Sequence, residues 1–483
     1  MHNQQVDPSV SANKAIRKAS GENYDAVVEL LLRDKRVDPS VSDNYAIRAA
    51  TRWGNIALVE LLLQDERVDP SARDNYAIRT ASYDGHVALV ERLLRDERVD
   101  PSAEDSEALR YANSKGHTAV IELLLRDKRA DPSAKDSQAL HEASNLGRTA
   151  IVELLLCDKR ADPTVMDNRI IQWASEAGHA AVVDLLLRDE RVDPTTGDNY
   201  AIRRAYRNGH TTTVETLLRD RRADPAADNS EAIRCASSLG RTAVVELLLH
   251  DKRADPSALD NEAIKTASEK GHAAIVDLLL RDERVNPSAA DNYAIIEASR
   301  RGRATVVELL LRNNVDPSAD NSMAIQIASS LGHTAVVELL LRDKRADPSA
   351  SDNYAIREAS SHGHAAIVEL LLRDKRADPS AACNYTAANY AIIGASRNGH
   401  VTVVERLLRD KRVDPSAANN KAIQCASKNG HAAVVDLLLH DERVDPSAAD
   451  NNAIRSASRQ GHHKVVELLL RDKRVDPSAR EPT

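Results

Sequence analysis

Apolar residues along this chain fall into two short patterns that alternate. In the first, Ala77, Ile78 and Ala81 stand at i, i+1 and i+4, the stripe of a short helix. In the second, from His86 to about Asp96, Leu89, Val90, Leu93 and Leu94 share one helical face. Asn75 opens the first pattern, and Asn or Ser opens all fifteen of its occurrences. Such side chains cap a helix by accepting a bond from an orphan N–H. Gly85 closes the pattern, as Gly does in fourteen occurrences, while Asn23 closes the first. Gly and Asn take the left-handed conformation after a helix at little cost. The second helix is favoured by Glu placed four residues before Arg, as in Glu29 and Arg33. Its basic end, Arg33, Lys35 and Arg36, suits the helix dipole. A Val/Ala-Asp-Pro-Ser segment then breaks it, because proline cannot continue a helix and holds the preceding residue extended.

Proline marks the period. Sixteen of the 17 prolines follow Asp or, once, Asn286, and they recur every 31 residues with two exceptions. Pro287 to Pro317 is one residue short, within 312–317, and Pro379 to Pro415 is five residues long, within 380–390. A fixed period of this size means stacked supersecondary units, none of which buries its apolar face alone. The reading is a single all-α solenoid over residues 1–483. It holds about fifteen helix-turn-helix units, with a hinge or bulge expected near 380–390.

Composition agrees and excludes other classes. The 483 residues include no Phe, 11 Tyr and 2 Trp, so packing relies on Leu, Ile, Val and Ala. That suits thin helical layers better than thick cores. No apolar run approaches a membrane span, and the N-terminus lacks a basic segment followed by an apolar one. Four separated cysteines without a CxxC pair argue against a disulfide framework and for a reducing, cytoplasmic setting. With 66 basic and 74 acidic residues the net charge is −8, which disfavours general nucleic-acid binding.

The segment from Tyr76 to Leu94 resembles an ankyrin repeat. Ala81, Gly85, His86, Val90, Leu93 and Leu94 match the family's Leu-Ala-Ala, Gly-His and Val-Val-x-Leu-Leu-Leu pattern. The likeness runs from about Ser11 to Arg480. The units depart from it in length, in Tyr76 to Arg79 replacing the Thr-Pro-Leu-His turn, and in lacking the hairpin glycine. Short loops and an almost wholly helical stack are therefore expected instead of β-hairpin fingers. The resemblance implies a non-catalytic scaffold that binds a protein partner on a concave surface of first helices and loop tips. The alternatives are a structural or spring-like spacer, or the repeat part of a larger adaptor.

Candidate chemistry is sparse. No GxGxxG, Walker, HExxH or GxSxG motif occurs. Ten histidines follow the turn glycine, and Asn55, Arg148, Arg241 and Arg303 replace them elsewhere. That pattern predicts a helix-capping turn residue bonded to nearby backbone. The pairs His362/His364 and His462/His463 lack a third ligand nearby, so neither metal nor cofactor is expected. The informative positions vary on the first helix. Trp53, Tyr83, Tyr111, Trp173 and Tyr206 stand where most units carry polar or small residues, all in units two to seven. Arg48, Arg79, Arg110 and Arg203 form a possible ladder beside them. Trp, Tyr and Arg anchor interfaces, so these nine residues are the expected contacts of a monomeric chain. For the arginines, a solvated face balancing acidic neighbours stays open.

Overall fold

Long and short helices alternate in the computed structural model, which describes residues 8–382 and 388–479, with side chains from residue 13 onward. Ala72–Asp84 and Val87–Leu94 form one pair, Ala103–Lys115 and Thr118–Asp127 the next. No strand occurs among the described residues, as the missing hairpin glycine predicts. The chain divides into two compact units, Met1–Ala227 and Asp228–Thr483. Within each, first helices pack on first helices and second helices on second helices. Ala77, Ile78, Ala81, Leu89, Val90 and Leu93 are fully buried, while Leu94 is half-buried. Gly85 ends its helix at φ 78, and a Cβ there would lie 2.6 Å from the His117 ring. Both backbone conformation and close approach therefore exclude a side chain.

Thirteen first helices are entered through a left-handed turn of three residues that the pattern did not reveal. Arg73, Asp74 and Asn75 have φ of 56, 53 and 60, and the right-handed helix runs only from Tyr76. Ser42, Asp43 and Asn44 repeat this, as do Leu259, Asp260 and Asn261. Left-handed residues with a Cβ cost about 1–2 kcal/mol each. Bonds to the turn offset that cost. Arg48 donates to the carbonyls of Asp43 and Ser42, both at 2.8 Å. Arg110 and Arg234 do the same in their repeats, and Gln172, Gln326 and Gln424 reach one such carbonyl each.

Three kinds of polar bond then recur between neighbouring repeats. First, the opening Asn or Ser accepts the N–H of the Asp, or once of Asn286, 25 residues on: Asn44 takes Asp69 at 2.7 Å and Ser106 takes Asp131 at 2.7 Å. Fourteen of the fifteen positions do so. These side chains make no cap bond to their own helices, which corrects the expected capping role. The stronger claim on the oxygen is the otherwise buried N–H of the adjacent loop. Second, Arg67 grips Asp65 through Nε and Nη2 at 2.9 and 2.6 Å, while its Nη1 donates to the Val37 carbonyl at 2.6 Å. Arg98 repeats this toward Val68, and Arg443 toward Val413. Third, His117 Nε2 meets the Tyr83 carbonyl at 3.0 Å, and His179 the Asn145 carbonyl at 3.0 Å. The acceptor is a carbonyl oxygen, so Nε2 carries the proton. These histidines do not cap their own second helix; they close the end of the preceding first helix. Arg148 does the same for the Ser114 carbonyl at 2.8 Å.

The two irregular units respond differently. In the short one, position 25 after Asn292 is Pro317, which has no N–H, and Asn292 Oδ1 is buried without a partner. The same deletion leaves Asn314 where other repeats hold the gripping arginine. In the long unit the inserted residues 383–387 lie outside the described residues, and so does most of the expected hinge. Their flanks keep the usual bonds: Asn389 N–H reaches the Ser380 carbonyl at 2.8 Å, and Asn389 Oδ1 takes the Asp414 N–H at 2.7 Å. Across the insertion, Arg412 still reaches the Ala377 carbonyl and His400 the Ser361 carbonyl.

Candidate protein-binding surface

The first helices carry the variable positions, so the surface is built from rungs of fixed frame and changing side chains. In the first unit three rungs gather aromatic and cationic groups. Trp53 is 65% exposed, and its indole N–H donates to the Gly21 carbonyl at 2.9 Å, which fixes the ring. With Gly21, Tyr45, Arg48, Ala49, Arg52 and Tyr76 it lines a pocket of about 270 Å3. The Arg48 guanidinium lies 5.9 Å from the Tyr45 ring and 5.4 Å from the Tyr76 ring, within cation–π range. Burial first, and the Arg73 guanidinium second, lower its pKa from the usual arginine range.

One rung on, Tyr83 is 41% exposed and packs edge-to-face on Tyr111 of the following rung, with centroids 5.5 Å apart. Lys115 Nζ lies 4.3 Å from the Tyr83 ring. Arg79 pairs with Glu107 at 2.5 Å. A hydrogen bond to the Glu107 carboxylate, and then burial, raises the Tyr111 phenol's pKa. Further along, Trp173 stacks on His141 with centroids 4.0 Å apart, and Arg169 lies 5.9 Å from the indole. Burial lowers the His141 pKa and favours the neutral ring that stacks there.

The nine expected contact residues therefore separate. Trp53, Tyr83, Tyr111 and Trp173 lie in these clusters. Tyr206 is 1% exposed and belongs to the interior, because it occupies the repeat position of Ser82, which is fully buried. Arg48 and Arg110 hold the turn carbonyls, and Arg79 is taken by Glu107, so these arginines are framework as much as surface. Arg203 is half-exposed at the same position. His141 went unnoticed because it stands one residue before the variable site, and only the stacking of neighbouring rungs brings it to Trp173. In the second unit, Arg357 lies 5.9 Å from the Tyr354 ring and 5.3 Å from Tyr390, a pairing hidden by the insertion between them.

Among the described residues, no group of three or more His, Cys, Asp or Glu side chains is placed to hold a metal. Among them also, no helix is long and apolar enough to cross a membrane.

An all-helical stack of short helix pairs, joined by repeated side-chain bonds and carrying variable first helices, defines an ankyrin-type α-solenoid. The family model described as ankyrin repeats in three copies matches residues 76–167, 170–260, 262–352, 295–383, 325–417 and 392–481; the chain belongs to the ankyrin-repeat family. Ankyrin repeats generally mediate protein–protein interaction. No individual curated protein matches the chain.

Proposed function

We propose that this chain is a non-catalytic scaffold that docks a partner protein on the first-helix face of the first unit. The observation that carries this is the succession of aromatic groups, with Trp53 and Tyr83 exposed and Tyr111 and Trp173 half-buried, each cluster beside a cation. Rigid aromatic anchors lose little entropy on binding, and a preformed stack spares the cost of ordering. Capture of a stoichiometric partner from a native lysate by the wild-type chain, and its loss on replacing Trp53, Tyr111 and Trp173 together by Ala, is the expected result. Unchanged capture by the correctly folded triple variant would reject this surface.

A spacer role is the second reading, favoured by the uniformity of the bonds between repeats. A spacer would return nothing stoichiometric from the same lysate. We further take the chain as one continuous array, since the 31-residue period runs unbroken through Pro194, Pro225 and Pro256. We place it, as a monomer, in a reducing compartment, in keeping with the thiols of Cys157 and Cys425. Light scattering and cell fractionation test those two points.

A further inference from the structure

We propose that the pocket formed by Tyr45, Arg48, Ala49, Arg52, Trp53 and Tyr76 docks an acidic, extended segment of a partner protein. One carboxylate side chain would sit against Arg48 and Arg52, and its neighbours would run over Lys14 and Lys18. This rests on the reading of the first-helix face as the binding surface and adds the chemistry of what binds.

The pocket, about 270 Å3, is of side-chain size and rimmed by aromatic rings. Arg48 is held in place by its own turn: Nε and Nη2 are committed to the Asp43 and Ser42 carbonyls, which leaves Nη1 as a fixed donor. Preorganised guanidinium donors recognise carboxylates well, because little freedom remains to be lost. Arg52 is exposed and makes no ion pair among the described residues. Two nearby carboxylates are held by other arginines, while Glu22 and Asp84 lie exposed at the edges of the site. Asp43 pairs with Arg73 at 3.0 Å, and Glu107 with Arg79 at 2.5 Å.

The repeat register extends the same charge. One rung earlier, Lys14 occupies the position of Tyr45 and Lys18 that of Ala49, both exposed. At these two positions the first three repeats hold only Lys14, Tyr45, Tyr76, Lys18, Ala49 and Thr80, with no acid among them. Glu22, just after the first of the first helices, and Asp84, at the end of Ala72–Asp84, hold Trp53's repeat position on either side of it. A local cationic patch on a chain of net charge −8 selects for an acidic partner and against a wrong one. The overall negative charge and the short reach of the patch favour a peptide over a long polyphosphate.

The test uses the full chain and a fluorescein-labelled decapeptide of alternating Glu and Ala, followed by anisotropy at low salt. The peptide is expected to bind, and the double variant Lys18→Glu/Arg52→Glu to weaken it by about tenfold or more. The double variant Lys375→Glu/Lys411→Glu makes the same charge change at exposed sites elsewhere and is expected to shift affinity by less than about twofold. In a Trp173→Phe background, peptide binding is expected to change the fluorescence of Trp53, then the sole indole. Equal weakening by both double variants would overturn the proposal. So would tighter binding of a single-stranded oligonucleotide of equal length. If either occurs while the triple aromatic variant still loses its partner, the scaffold reading stands and only the acidic class of ligand falls.

Discussion

His179 shows what a single position has to supply. Its Nε2–H donates to the Asn145 carbonyl, and its ring lies 2.6 Å from where a Gly147 Cβ would be. Arg148 supplies a donor in the same place one repeat earlier. What matters there is a donor with reach, so His179→Arg is expected to be near neutral. His179→Ala should cost about 1 kcal/mol through the lost bond, read by urea unfolding. Equal losses in both variants would show that ring packing, and not the bond, is what counts. The alternation of His with Asn and Arg is visible in the sequence, and it signals a bonding role. Its acceptor is not visible, because it lies 34 residues back. Tyr206 teaches the complementary lesson. Aromatic character alone suggested surface, yet the position one residue after the fixed Ala205 is buried in fourteen of the fifteen rungs, as Ser82 and Ser237 show.

At the scale of helices and turns, the starts, stops and buried faces follow from spacing, because they depend on local geometry and on a repeated apolar stripe. The left-handed turns do not. Their Asn and Ser residues fit a local capping rule, and only the adjacent loop reveals the competing N–H that takes the oxygen. The short repeat gives a sharp comparison. Asn261 and Asn292 share the same left-handed backbone, with φ of 61 and 60, so the backbone cost of an Ala replacement is common to both. Asn261 accepts the Asn286 N–H at 2.7 Å and Asn292 Oδ1 accepts nothing. Asn261→Ala should therefore destabilise by about 1–3 kcal/mol more than Asn292→Ala. Restoring the period by replacing Arg312-Asn313-Asn314-Val315 with Arg-Asp-Lys-Arg-Val should slow hydrogen exchange across 286–317. Unchanged exchange would mean that the missing bonds carry no weight there.

Over the whole molecule the same loop carboxylate recurs and gives the chain a common acid sensitivity. Asp65, Asp96, Asp189, Asp282, Asp343, Asp374, Asp410, Asp441 and Asp472 are all lowered below the usual carboxylate range, first by side-chain bonds from the arginine two residues on. Asp34, beside Arg36, is brought to about 2. A carboxyl depressed in the folded state stabilises it above the unfolded value of about 3.9 and loses that effect as the pH falls through the folded value. Thermal stability is thus expected to hold from neutral pH down to about 4 and then drop steeply toward 2. A flat profile over that interval in calorimetry would contradict the role given to these arginines. The stacking of repeats was legible from proline spacing alone, since every copy repeats the message. Which rungs bind was less so, because an exposed and a buried aromatic look alike until their neighbours are in place.

The turn between Ser380 and Asn389 carries five residues more than its counterparts, and its two anchoring bonds are the same as theirs. A foreign cassette spliced between Ser102 and Ser106, where Ser106 N–H reaches the Ser102 carbonyl at 2.8 Å, would find identical moorings. Each rung therefore offers a port for new chain that leaves the architecture behind it intact, and such ports are where a lineage of these proteins could acquire payloads without relearning how to fold.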